Sequence, residues 1–178
     1  MGTRFILVAF LFAAGCAVKP APSAPRELPT QPFRDEHREI KEHLSHVSAW
    51  VSQLASAPPA RQRELMRQTL GFLKDHLVAH AEWEDKFLYP AVDRRTSNPD
   101  YPFTSTMRYE HRIVGRWIGE LEAMAAKEPP DVVAFVRRGF NLLGLISAHF
   151  EEEEEVLLPI LDRAMTAEDF RRELGSSP

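Results

Sequence analysis

The chain has 178 residues and a formal net charge of −4, and charged residues make up 27% of it. This length is enough for one domain with a hydrophobic core. The lysines and arginines are scattered, which argues against a nucleic-acid-binding surface, because such a surface needs a concentrated basic patch. Glycine is sparse and runs of β-branched residues are few, so an all-β fold is disfavoured.

Residues 1–15 have the pattern of a signal peptide. One arginine is followed by a continuous apolar run and then by small residues in front of Cys16, the only cysteine of the chain. An apolar run of roughly ten residues is too short to span a bilayer. Small residues before a cysteine resemble the lipobox of bacterial lipoproteins, which implies lipid attachment to Cys16 and cleavage before it. The alternatives are an ordinary secretory signal, or a buried start-of-chain segment with an incidental cysteine.

Residues 16–31 form a linker rich in proline and alanine. Such a segment is extended and cannot bury a core, so we predict a spacer. With a lipid on Cys16 it would hold the domain off a membrane, which places the protein in the bacterial cell envelope, on the periplasmic or outer-surface side. The globular domain is predicted over residues 32–161, followed by a short helix and tail over 162–178.

Four amphipathic segments with helical spacing follow the linker, separated by turns that contain proline. Segment A runs from about Pro32 to Pro58, B from Pro59 to Pro90, C from a polar loop ending near Pro102 to Pro129, and D from about Asp131 to Pro159. One more short helix, capped by Thr166, is expected to end near Leu174. Four helices with short connections predict an all-α, up-down-up-down four-helix bundle.

The two halves of the chain can be aligned with each other. The matching elements are Glu36-His37 in A with Glu110-His111 in C, and His80-x3-Glu84 in B with His149-x3-Glu153 in D. A histidine and a carboxylate four residues apart point the same way from one helix. A repeated helix pair is expected to place A beside C and B beside D by a pseudo-two-fold axis, with these side chains converging near the bundle axis.

The repeat predicts a metal site built from imidazoles and carboxylates. Four imidazoles alone could serve a single zinc ion or a haem, whereas two added carboxylates suit two metal ions that share bridging oxygens. These ligand types favour iron, manganese or zinc, and the absence of cysteine ligands argues against an iron–sulfur cluster or a thiolate zinc site. The predicted ligands are His37, His80, Glu84, His111, His149 and Glu153.

The four motifs resemble those of the hemerythrin-like (HHE cation-binding) domains, over about residues 31–161. The resemblance implies a non-haem di-iron centre bridged by the two carboxylates, and a role in binding oxygen, nitric oxide or peroxide, or in handling iron. The chain departs from the oxygen-carrying hemerythrins, which have a second histidine on the third helix where this sequence has Gly115. They also end in His-x4-Asp rather than His-x3-Glu. Reversible oxygen carriage is therefore in doubt.

Further side chains are candidates to complete or support the site. His76 lies one turn before His80 and could supply the missing imidazole, and the alternative is a supporting or solvated histidine. Glu36, Glu110 and Tyr109 are candidates for contacts with the ligating histidines, because such a histidine usually donates its second ring proton to an acceptor.

Several functions are compatible with these predictions. The first is an envelope di-iron module that binds oxygen, nitric oxide or a peroxide, which is a binding module rather than an enzyme. The second is a peroxide-consuming or iron-oxidising enzyme, although the ferritin-like carboxylate proteins generally show Glu-x-x-His spacing and more carboxylates. The third is a structural lipoprotein whose metal only stabilises the bundle. Haem binding ranks last, since no methionine or histidine pair stands apart from the carboxylates.

Overall fold

The computed structural model describes residues 28–96 and 101–175, and within these residues the chain is helical and has no strand. The helices are α1 Gln31–Gln53, α2 Pro59–Phe72, α3 Val78–Trp83, α4 Tyr89–Thr96, α5 Ser105–Ala125, α6 Val132–Glu152, α7 Leu158–Ala164 and α8 Ala167–Leu174. The predicted all-α helical bundle is confirmed. None of the described helices has the length and apolar character needed to cross a bilayer. The predicted signal peptide, Cys16 and most of the linker lie outside the described residues.

The bundle is built from four rods. α1 is the first rod and α5 the third, while α2, α3 and α4 form the second, and α6 and α7 the fourth. α1 packs against α2 and α6, and α5 packs against the same two helices. The first and third rods therefore lie diagonally across the bundle, so the expectation that they are neighbours was wrong. Short connections make consecutive rods neighbours. The second and fourth rods meet where α4 contacts α7.

Two prolines that were expected to end helices lie inside the rods instead. Pro90 and Pro159 are each the second residue of a helix, α4 and α7, that directly follows a five-residue π-helical turn, Glu84–Leu88 or Glu153–Leu157. In both turns the next backbone N–H reaches back five residues to the carbonyl of the glutamate. A proline normally clashes with the preceding turn and lacks a donor. The wider π-turn has already shifted the hydrogen-bond pattern, so the rod continues.

The apolar core has two parts, and the predicted ligands lie between them. On α1, Phe33 packs in one part and Ile40 in the other, and His37 stands between them. All three side chains are buried. Apolar layers on both sides exclude water from the polar residues in between, which makes an uncompensated charge there costly.

The predicted C-terminal helix is present as α8. Thr166 and Asp169 form a reciprocal capping box at its start, in which each side chain accepts from the other's backbone N–H. Such a box satisfies two backbone donors that the helix itself leaves free. Phe170 and Leu174 are buried in the same core part as Phe33, so α8 closes that end of the bundle.

Candidate metal centre

The structure brings all six predicted ligands together in the interior. They come from all four rods, and each side chain is at most 10% exposed. The members are His37 from α1, His80 and Glu84 from the second rod, His111 from α5, and His149 and Glu153 from the fourth. Their polar ends form two overlapping groups whose donor atoms lie within 4.8 Å of one another.

The first group, called the first subsite, consists of His37, His80, Glu84 and Glu153. The two Nε2 atoms of the histidines lie 3.2 Å apart, and Nε2 of His80 lies 2.8 Å from Oε1 of Glu84. Oε2 of Glu153 lies 3.3 Å from Nε2 of His37. Donor atoms that bind one ion at about 2.0–2.2 Å stand roughly 3 Å from their neighbours, so these spacings suit a single ion.

The second group, called the second subsite, consists of Glu84, His111 and His149. Nε2 of His111 lies 3.1 Å from Oε2 of Glu84 and 3.2 Å from Nε2 of His149. Glu84 thus presents Oε1 to the first subsite and Oε2 to the second. It is the carboxylate common to both groups, in the position of a bridge between two cations.

Outer carboxylates fix the orientation of the imidazoles. Glu36 accepts from Nδ1 of His80 at 2.9 Å, and Glu110 accepts from Nδ1 of His149 at 2.8 Å. A carboxylate can only accept here, so each Nδ1 carries a proton and Nε2 is the nitrogen that faces inward. This is the orientation that a metal ligand needs. Both supporting contacts agree with those predicted from the sequence for Glu36 and Glu110.

Two further outer carboxylates were missed. Glu154 accepts from Nδ1 of His37 at 3.1 Å, and Lys41 also donates to it. Oδ1 of Asp85 lies 3.3 Å from Nδ1 of His111. Asp85 and Glu154 occupy matching positions of the repeat, each directly after a ligand glutamate. This symmetry could have predicted both contacts from the sequence. It was not recognised because Glu154 lies in a run of five glutamates, most of which were expected to face solvent.

The unpaired carboxylate oxygens show that the site fits a cation. Both oxygens of Glu84, and Oε2 of Glu153, are buried and accept no hydrogen bond from any described residue. Buried carboxylates without compensation cost several kcal/mol each. Metal cations between these atoms would satisfy them all, so the buried cluster fits a metal site.

The pKa values of the cluster reflect the same electrostatics. Burial lowers the pKa of His80 and His149, but nearby carboxylates outweigh it and raise both to about 10. Burial also opposes the charge on Glu84, yet the neighbouring His80 holds the pKa of this carboxyl well below its usual value. Burial and the charge on Glu84 raise the pKa of Glu153. The cluster therefore attracts positive charge, and metal binding would displace protons from the imidazoles.

Tyr89 also belongs to the site, although it was not among the residues predicted from the sequence. The side chain is fully buried, and its hydroxyl donates to Oε1 of Glu153 at 2.7 Å. Its oxygen also lies 3.1 Å from Nε2 of His111 and 3.3 Å from Nε2 of His149. Burial and the charges of the nearby glutamates raise the pKa of the phenol well above its usual value. The sequence indicates this role only indirectly. The repeat pairs Tyr89 with Leu158, so the two halves of the chain differ in residue type at this position.

Two other candidates are not brought into the site. His76 is exposed and its ring contacts those of Phe72 and His43, with centroids 5.0 and 6.3 Å away. It lies in the π-helical turn Leu73–Leu77. A π-turn changes the angle around the helix axis between His76 and His80, so the two side chains do not share one helix face. Tyr109 is 51% exposed, because it stands two residues before a ligand and so on the opposite helix face. Neither side chain supports a ligand in this arrangement.

A small cavity of about 20 Å³ adjoins the second subsite. Its polar lining consists of ligands, and its apolar lining of side chains from the second, third and fourth rods. The residues are His80, Glu84, His111, His149, Leu77, Ala81, Val114, Ile146 and Phe150. A cavity of this size holds about one water molecule. A diatomic or similarly small guest fits this scale, and a larger organic substrate does not.

The comparisons with known proteins agree with this geometry. The family model described as Hemerythrin HHE cation binding domain matches residues 28–161. This range covers most of the chain and contains all six side chains of the cluster. No curated protein and no solved structure matches the chain significantly.

Proposed function

The chain belongs to the hemerythrin HHE cation-binding family, and on that premise we propose that it is a membrane-anchored module that holds two iron ions and binds a small guest. Dioxygen, nitric oxide and peroxide are the candidate guests. The observation that carries the proposal is the pair of ligand groups joined through Glu84, with a guest-sized cavity beside them.

The separation of the donor atoms into two groups supports two bound ions rather than one. The two oxygens of Glu84 face different imidazole pairs, and one ion cannot contact both pairs at normal bond lengths. Imidazole with carboxylate suits iron, and manganese or zinc are the alternatives. When bound, an iron pair supplies redox chemistry and vacant coordination positions for a guest.

The protein itself contributes orientation and exclusion of water. Glu36, Glu110 and Glu154 keep the Nε2 atoms of the imidazoles directed inward, and the apolar cavity lining limits access to small uncharged molecules.

Replacing Ala81 with leucine tests the cavity. Metal analysis of the purified chain should give about two iron ions, and the reduced protein should change colour on addition of nitric oxide. In the Ala81→Leu variant the added side chain occupies the cavity, so iron should be retained while the apparent affinity for nitric oxide falls at least about tenfold. Overpacking of this kind typically costs only about 1–3 kcal/mol of stability, which a thermal melt would register.

The matched control is Ala79→Leu, the same change two residues earlier at an exposed position of the same helix. It should bind nitric oxide like the unmodified chain. One iron ion per chain, or zinc alone, would contradict the di-iron proposal. Full nitric oxide affinity in Ala81→Leu would show that the guest does not use this cavity.

We also propose that a lipid on Cys16 anchors the domain to a membrane of the bacterial cell envelope. The support is the sequence pattern of residues 1–16 alone, since they lie outside the described residues. Replacing Cys16 with serine should abolish incorporation of a labelled fatty acid and release the protein from the membrane fraction. Unchanged membrane attachment of the variant would contradict the anchor.

A further inference from the structure

We propose that the hydroxyl oxygen of Tyr89 is a fourth protein ligand of the second metal subsite. The inference rests on the proposed di-iron function and adds a phenolic oxygen to the imidazole and carboxylate donors. The two subsites are unequal without it. The first has four residues and the second has three, because Glu153 belongs only to the first. The oxygen of Glu153 that faces the second subsite accepts from Tyr89 instead, and the matching position in the other half of the repeat is Leu158.

The position of the oxygen supports ligation. It lies 3.1 Å from Nε2 of His111 and 3.3 Å from Nε2 of His149, and these two atoms are themselves 3.2 Å apart. The three atoms form a nearly equilateral triangle. Its edges match the spacing of roughly 3 Å expected between neighbouring donors around one ion bound at about 2.0–2.2 Å.

The remaining hydrogen bonds of these groups leave the triangle open to a metal ion. The hydroxyl proton of Tyr89 is donated to Glu153, and the Nδ1 proton of His149 is donated to Glu110. The phenolic oxygen keeps its lone pairs for the two Nε2 atoms, and these nitrogens become lone-pair donors themselves once a metal ion displaces their protons. A metal ion within the triangle would satisfy all three atoms at once, whereas the bond to Glu153 uses only the hydroxyl proton.

The proton released on coordination has an acceptor. As the bond from oxygen to metal forms, the O–H bond breaks and the proton passes to Oε1 of Glu153, which already accepts it at 2.7 Å, and from there to solvent. No electron is transferred in this step. Glu153 keeps Oε2 for the first subsite, and Glu84 remains the carboxylate shared by both ions. Only the second subsite would then have a phenolic ligand, so the two subsites would differ in their donor atoms.

Resonance Raman spectroscopy of the ferric protein tests the proposal. The sample is the full mature chain loaded with iron, prepared with ordinary or ring-deuterated tyrosine. We expect a visible phenolate-to-iron charge-transfer band whose enhanced vibrations shift with the label. The Tyr89→Phe variant should lose this band. Its affinity for the second equivalent of zinc should also fall by about tenfold or more, which is the usual effect of removing a residue that supports a metal site.

Tyr109→Phe is the matched control, since this tyrosine is exposed, and it should keep both the band and the zinc affinity. The labelled unmodified protein needs no substitution, so the result does not depend on whether Tyr89→Phe folds. Two bound irons without any label-sensitive tyrosine vibration would refute the ligand role and leave the proposed function intact. A chain that takes up no iron would refute both.

Discussion

Replacing Glu84 with glutamine should reduce the bound iron from about two ions per chain to less than one. Glu84 is fully buried and is the one residue common to both ligand groups. The amide keeps the shape of the side chain but removes its negative charge, and it places a donor NH2 group where a lone pair is needed. Both subsites lose an anionic ligand at once. Metal analysis after loading with a small excess of ferrous iron, followed by gel filtration, measures the effect.

Glu82→Gln is the control for this substitution. It makes the same chemical change two residues earlier, at an exposed position of the same rod, and should leave the iron content unchanged. Circular dichroism should show equal helicity for both variants, because the apolar core does not depend on this carboxylate. Retention of two ions by Glu84→Gln would contradict the bridging position and with it the two-subsite arrangement.

Removal of the metal by a chelator should lower the melting temperature by at least about 10 °C while the chain remains helical at room temperature. A ligand at 1,000 times its dissociation constant stabilises the native state by about 4 kcal/mol per site. One kcal/mol corresponds to roughly 2–4 °C for a domain of this size. The buried oxygens of Glu84 and Glu153 that accept no hydrogen bond also lose the cations that would satisfy them. Calorimetry with and without chelator gives the shift.

The same experiment separates the proposed function from a purely structural role. If the metal had only a structural role, its removal by a chelator would unfold the chain, as in small domains that depend on metal for folding. Here two apolar core parts stand on either side of the cluster, so most of the buried hydrophobic surface is independent of the ions. Glu84→Gln should show almost no melting shift with chelator. Complete unfolding on chelation, together with failure to bind nitric oxide, would favour the structural alternative.

The sequence by itself determined the fold class and the identity of the six clustered histidines and glutamates. The helical spacing of apolar residues specifies four amphipathic rods, and short connections leave few ways to pack them. The i, i+4 pairs His80/Glu84 and His149/Glu153 need only the geometry of a single helix to share a face. Their recurrence in two halves made convergence of the side chains predictable without any long-range information. The family match over residues 28–161 agrees with this interpretation.

Only the tertiary structure decided the members of the site that depend on distortion of a rod or on contacts between rods. In a regular helix Tyr89 would be rotated by about 140° from Glu84, five residues earlier. The π-turn Glu84–Leu88 removes much of that rotation and directs the phenol inward, and it also lets the rod continue through Pro90.

The pairing of Glu154 with His37, and the side-by-side order of the rods, likewise involve residues far apart in the chain. Local spacing fixes which side chains share one helix face, but a π-turn and the contacts between rods are stabilised by packing across the whole bundle. Sequence periodicity carries no direct record of that packing.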